Sequence, residues 1–258
     1  MTDDMVSIFF AGTAGAGKST LVGSFQRWMG ENGYNALTVN LDPGAEVLAY
    51  DADVDVREWA VLRQIMEEFN LGPNGAQVVA ADMMALQAGD IATAVNEMES
   101  DYVLYDVPGQ LELFAFRSSS KRLMETLGGT NPVLAYLLDP MLVNTPNGYV
   151  TSMLLAATVK FRFDVPMLFI LSKTDLMDEE TRENVIAWTE DHWRLQNDLW
   201  EGEITPSATF AVDLFEAIKD FGASSSFIPV SSATGVGLED IYSMVQMIYS
   251  GGDDLEKR

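Results

Sequence analysis

The chain contains no cysteine, which excludes disulfide bridges and thiolate metal sites and fits a reducing cytoplasm. Histidine occurs once, as His192, on a stretch that reads as an exposed helix; it is assigned neither a ligand nor a base role. Cations are scarce. The 258 residues carry 15 Lys plus Arg, only six of them Lys, against 39 Asp plus Glu, for a formal net charge of -24. Such a field repels nucleic acid and anionic membranes, so neither is expected as a direct partner. Two explanations of the acidity stay open, a surface adapted to a salty cytoplasm or an acidic face for a basic partner. The even spread of acids along the chain favours the first. No apolar run reaches the roughly 18 residues of a membrane span, and the start, Met1-Thr2-Asp3-Asp4, is acidic where a signal peptide would be basic. A cytoplasmic location is therefore expected. With 48% hydrophobic residues the chain can bury a substantial core, and its length allows one large α/β domain or two small ones.

What is present is dominated by Gly12-Thr13-Ala14-Gly15-Ala16-Gly17-Lys18-Ser19, followed by Thr20. It fits G-x-x-x-x-G-K-S/T, the phosphate-binding loop, and lies between an apolar strand ending at Ala11 and a helical pattern from Lys18 to Met29. Glycines let the backbone turn successive N–H groups toward phosphate, and the helix N-terminus adds partial positive charge. Lys18 then reaches the β- and γ-phosphates and the Ser19 hydroxyl ligates Mg²⁺.

Further along, strands alternate with helices, which predicts an α/β fold: a doubly wound, mainly parallel sheet with helices on both faces. One domain spans residues 1–250, with an insertion around 56–98, and 251–258 reads as a frayed tail. Several strands end in chemistry-bearing residues. The strand 36–41 delivers Asp42 to the carboxyl end of a strand, where open α/β sheets bind ligands, a position equally explained by a turn former before Pro43-Gly44. The strand 102–105 delivers Asp106, the pattern of a carboxylate that holds Mg²⁺. Asp106 to Gly109 has the D-x-x-G form, in which the Gly109 backbone senses the γ-phosphate and Gln110 orients attacking water. A fifth strand, 167–171, leads to Ser172-Lys173-Thr174-Asp175, similar to the guanine-reading N-K-x-D element with Ser in first place. A carboxylate at Asp175 accepts from guanine N1–H and its exocyclic amine, which adenine does not offer. Ser231-Ser232-Ala233 after the sixth strand looks like a second base-contacting loop. Between the second and third strands the hexapeptide 70–75 reads as a turn, a sufficient account of Gly72-Pro73-Asn74 by itself.

With these elements in this order, from about residue 5 to 249, the chain resembles the GPN-loop GTPases. The resemblance implies GTP and GDP as ligands with Mg²⁺, and a homodimer in which Gly72, Pro73 and Asn74 reach the partner's nucleotide. It further implies that Asp42 and Asp106 lie near the metal and the attacking water, which Gln110 helps position. Asn74 then stands where other GTPases accept an arginine finger. Since a neutral donor stabilises less charge, slow turnover is expected. Eukaryotic members are linked to assembly and nuclear delivery of RNA polymerase, so a protein client is implied. Two positions depart from the pattern, Ser172 in place of Asn and Gly44 in place of Ala. Two other functions remain open, a small-molecule kinase and a nucleotide-stabilised scaffold without turnover. Nine Arg without a cluster argue against the kinase.

Overall fold

The computed structural model describes residues 5–109, 117–200, 206–222 and 227–249. Seven strands form one sheet: β1 (Val6–Gly12), β2 (Ala36–Asn40), β3 (Val54–Asp55), β4 (Tyr102–Asp106), β5 (Asn131–Leu138), β6 (Met167–Leu171) and β7 (Ile228–Pro229). Their order is β3-β2-β4-β1-β5-β6-β7, and every pairing is parallel. Strand β1 is buried throughout, and apolar but for Ser7, because both faces of the sheet are covered. Its side chains alternate between two cores. Phe9 and Ala11 face one, while Ile8 and Phe10 face the other, where α1 (Lys18–Glu31) and a helix at Leu238–Tyr249 pack.

The register places the site. Phe10 and Asn40 both align with Asp106, so the ends of β1, β2 and β4 stand in one row. The loops that leave this row carry Gly12, Asp42 and Gly109 together at the carboxyl edge of the sheet, where open α/β folds bind ligands.

Three local readings differ from the structure. Apolar residues at helical spacing over 56–69 predict one helix, but the structure has a 3-10 turn at Val56–Glu58 followed by α2 (Leu62–Phe69). Before it runs β3, two residues long and too short to show a period. Residues 76–98 read as one long helix or one interrupted at Gly89-Asp90; in the structure it begins earlier, at Pro73, and breaks at Gln87, giving α3 (Pro73–Leu86) and α4 (Ala88–Asn96), bent by 57°. Gly72-Pro73-Asn74 is therefore the start of a helix as well as the end of a turn. Proline fits the first helical position, where its missing N–H has no partner to lose. The stretch 178–200 reads as one charged amphipathic helix with Trp188, Trp193 and Trp200 spaced for packing; it breaks at Asp191, whose carboxylate accepts from the Trp193 N–H at 3.0 Å and starts the helix His192–Trp200. Trp188 is buried, but Trp193 is 76% exposed and is no packing residue. No single described helix is long and apolar enough to cross a membrane.

Candidate nucleotide-binding site

The phosphate loop is already curled around its lysine. Gly15 and Gly17 take φ of 80° and 92°, the left-handed region that favours glycine. Gly12 has φ 149°, and a Cβ there would lie 2.6 Å from the Leu137 carbonyl of β5, so only glycine fits against that strand. Lys18 is buried, and its Nζ donates to the Gly12 carbonyl at 3.1 Å and the Thr13 carbonyl at 3.0 Å. Burial lowers its pKa, while the charges of Asp106 and Asp42 pull it back up. Ala16 is buried beneath the loop; Ala14, Gly15 and Thr20 are exposed on its open side.

Asp106 is the buried carboxylate of the site, 2% exposed at the end of β4. Burial pushes its pKa up to about 6, against the hydrogen bond from Ser19, the Lys18 charge and a hydrogen bond from Tyr50. The Tyr50 hydroxyl donates to Asp106 Oδ2 at 3.2 Å. Tyr50 and Ala49 lie over Gly23 of α1, where an added Cβ would come 3.0 Å from the Tyr50 Cβ. Sequence reading missed Tyr50, because nothing in the 42–53 loop shows which residue folds back onto the phosphate-loop helix.

Asp42 is more than a turn former. Its Oδ1 accepts from the Gly44 N–H at 2.8 Å and its Oδ2 from the Gly109 N–H at 3.4 Å. One carboxylate thus joins the loop after β2 to the loop after β4. The second loop passes beside the lysine, since a Cβ on Gly109 would be 3.9 Å from Lys18 Nζ. Behind Asp42, the Asp55 carboxylate accepts from Asn40 at 2.9 Å and pairs with Arg57, whose Nη1 donates to the Ala45 carbonyl at 2.9 Å. Gln110 lies outside the described residues.

On the other flank, Ser172 is buried and its hydroxyl donates to the Leu138 carbonyl at 2.9 Å. Lys173 takes φ 53° and swings across the phosphate loop. Its Nζ donates to the Gly15 carbonyl and to Asp139 Oδ2, and its stem passes 3.4 Å from where a Gly17 Cβ would stand. The Thr174 N–H donates to the Val230 carbonyl at 3.1 Å, which brings the Ser172–Asp175 loop beside Ser231, Ser232 and Ala233. Asp175 and Ala233 are exposed on this rim and Ser232 is half-buried.

Residues 10–251 match the family described as conserved hypothetical ATP binding protein. A GPN-loop GTPase of Pyrococcus abyssi is 38% identical over 186 residues, 71% of this chain and 73% of the relative. The apo crystal structure of a GTPase from the same organism superposes with TM-score 0.84 at 32% identity, covering 96% of this chain and 99% of the other. The chain belongs to the GPN-loop GTPase family. The GPN-loop GTPase 1 of Dictyostelium discoideum is 26% identical over 247 residues, and this chain spans only 60% of its length.

The tripeptide that gives the family its name sits at the tip of the α2–α3 hairpin. Gly72, Pro73 and Asn74 are all exposed there. Asn70 turns the chain with φ 50°, and Pro73 then opens α3. Among the described residues the Asn74 side chain makes no hydrogen bond. The Leu62 N–H donates to the Pro43 carbonyl at 3.4 Å, so the start of the hairpin is tied to the Asp42 loop. The donor set around the loop fits Mg²⁺. It offers hard oxygen ligands, two carboxylates and a hydroxyl from Asp42, Asp106 and Ser19, and a buried acid held ready by hydrogen bonds. Among the described residues no cluster of three or more His, Cys, Asp or Glu could hold a metal by itself, as expected of an ion that takes its remaining ligands from phosphate and water.

Proposed function

We propose that this GPN-loop GTPase binds GTP with Mg²⁺ and hydrolyses it slowly as a homodimer, using the cycle to switch a protein-binding surface. The observation that carries this is the Asp42 carboxylate bridging Gly44 and Gly109 beside the Lys18 ammonium. A γ-phosphate at Lys18 is a strong competing acceptor for the Gly109 N–H, because a phosphoryl oxygen next to an ammonium outbids a carboxylate at 3.4 Å. Binding of triphosphate thus draws Gly109 away from Asp42, and release of phosphate lets the bridge re-form. The Asp42 loop carries Pro43, whose carbonyl accepts from the first residue of α2, so the change reaches the α2–α3 hairpin.

Each group has a stated part. The amides of residues 14–19 and Lys18 hold the phosphates, with Thr20 at their edge. Ser19, Asp106 and Asp42 would hold Mg²⁺, which when bound neutralises charge on the β- and γ-phosphates. Gly109 donates to the γ-phosphate, and Gln110 is placed next to it in sequence. Asp175 reads guanine, with Lys173, Ser232 and Ala233 flanking the base. Asn74 acts in the partner's site. It is a neutral donor, and the arginine it replaces is worth about 10³ to 10⁵ in rate elsewhere, hence the slow turnover. A client of the kind linked to eukaryotic members, a polymerase under assembly, is the partner this reading suggests.

The deciding assay is phosphate release with GTP and Mg²⁺, with ATP as competitor. Turnover that ATP does not inhibit supports the reading, and binding of neither GTP nor GDP at saturating Mg²⁺ removes it. For the dimer, Lys18→Ala and Asn74→Ala should each be slow alone and active when mixed. A mixture with no gain would show that Asn74 does not act across subunits.

A further inference from the structure

Beside the phosphate loop lies a cavity of about 160 Å³ that the groups named so far do not fill. Ala14, Asp42 and Gly109 form its wall on the nucleotide side, and Gln77, Ala81 and Met84 of α3 form the facing wall. It is roomy enough for several waters. Gln77 is the polar group that α3 sends into it. Its Oε1 is buried and has no hydrogen-bond partner among the described residues. Its Nε2 stands next to the Asp42 turn, since a Cβ built on Gly44 would lie 3.8 Å from Nε2 and 3.3 Å from Asp42 Oδ1. A buried amide oxygen with nothing to accept from is costly to keep, unless a ligand or water supplies the donor.

We propose that Gln77 is a positioning residue for hydrolysis, acting within its own subunit: its Oε1 accepts a hydrogen bond from the water that attacks the γ-phosphate. This rests on the GTPase reading above. Gly109 lines the same cavity and marks the γ-phosphate side, so a water held between Gln77 and Gly109 faces the phosphorus from outside the loop. The water oxygen forms the new bond to phosphorus, and the bond to the β–γ bridging oxygen breaks, its electron pair leaving with GDP. Both water hydrogens depart on inorganic phosphate. A neutral amide suits the place, because a second carboxylate beside Asp42 would repel it. Asn74 and Gln77 are three residues apart on α3, near one face of it: Asn74 is exposed at the helix start and Gln77 lines the cavity one turn further on.

The test compares full-length wild type, Gln77→Met and Gln77→Glu in GTP turnover and in binding of a fluorescent GDP. Q77M keeps the length and loses the acceptor. Its kcat should fall about tenfold to a hundredfold, the scale of a misplaced reactant, with KM and GDP affinity within about twofold of wild type. Q77E restores an acceptor oxygen and should recover part of kcat, the remainder being withheld by repulsion between the new carboxylate and Asp42. Mixing Q77M with Lys18→Ala should restore nothing, because each subunit then lacks a group it needs in its own site. If Q77M melts lower than wild type, Gln77→Asn, which withdraws the amide by one methylene, should show the same loss of kcat. Unchanged kcat in Q77M, or a loss matched by weaker GDP binding, overturns the proposal while wild-type turnover keeps the GTPase reading intact. A wild type that releases no phosphate overturns both.

Discussion

Asp55 shows how a residue outside the nucleotide site can hold its edge. Burial raises its pKa, but hydrogen bonds from Arg57 and Asn40 outweigh that and leave the carboxyl below its ordinary range. The sign follows from linkage. A depressed folded pKa adds stability that is present above the unfolded value near 3.8 and is lost as pH falls toward the folded one. Asp55→Asn should therefore cost about 1 kcal/mol at pH 7, after allowing for solvent screening, and the gap from wild type should close below about pH 4. Melting temperatures of the two proteins at pH 7 and about pH 2.5 check this; an equal gap at both values would deny the charge its role. Gly12 is a steric case. Alanine there meets the Leu137 carbonyl at 2.6 Å with φ at 149°, so Gly12→Ala should destabilise by about 2–3 kcal/mol, read by urea unfolding. The phosphate-loop residues were legible in the sequence because the chemistry lies in eight consecutive positions. Tyr50 and Gln77 were not. Each is an ordinary residue in its own segment, and only the folding of that segment onto α1 or over the cavity gives it a task.

The tip of the α2–α3 hairpin packs on its own small cluster, whereas Ala81 and Met84 further along α3 belong to a main core. Ala60, Ile65, Ala76 and Ala80 form a small cluster of their own, separate from the two cores on the sheet faces. In α2 only Ile65 is buried. One large fully buried side chain and three alanines, with Leu62, Met66, Leu71, Val79 and Met83 only partly buried against them, remove less apolar area than the sheet cores, so local opening should take less free energy than global unfolding. Amide hydrogen exchange in residues 62–76 should therefore run at least tenfold faster than in β1 and β4, and should slow when GTP and Mg²⁺ are bound. Protection equal to the central strands without nucleotide would contradict the picture of a hairpin that answers to the site. The hexapeptide's turn character was legible from Gly-Pro and Asn-Gly. That the turn runs straight into a helix was hidden by the same signals, since proline marks a turn and a helix start alike.

Across the whole molecule the net charge of -24 is the property most open to experiment. At low ionic strength, like charges on a compact body repel over a Debye length of about 30 Å at 0.01 M, shrinking to about 3 Å at 1 M. The melting temperature should therefore climb steeply between dilute buffer and molar KCl, and a flat profile would leave a basic partner as the better account of the acids. Strand and helix types followed from period and apolar content, because a parallel sheet covered on both faces demands mainly apolar strands, and β1, β4 and β6 supply them. By itself, then, the order of residues determined the phosphate loop, the alternation of strands and helices and the acids at strand ends, all of which depend on neighbours a few positions apart. Only the tertiary structure decided the strand order that sets Asp106 beside Phe10 and Asn40, the bridge from Asp42 to Gly109, and the inward turn of Gln77. These join segments tens of residues apart, and a pairing at that range is chosen by the packing of the whole sheet, which no local pattern encodes.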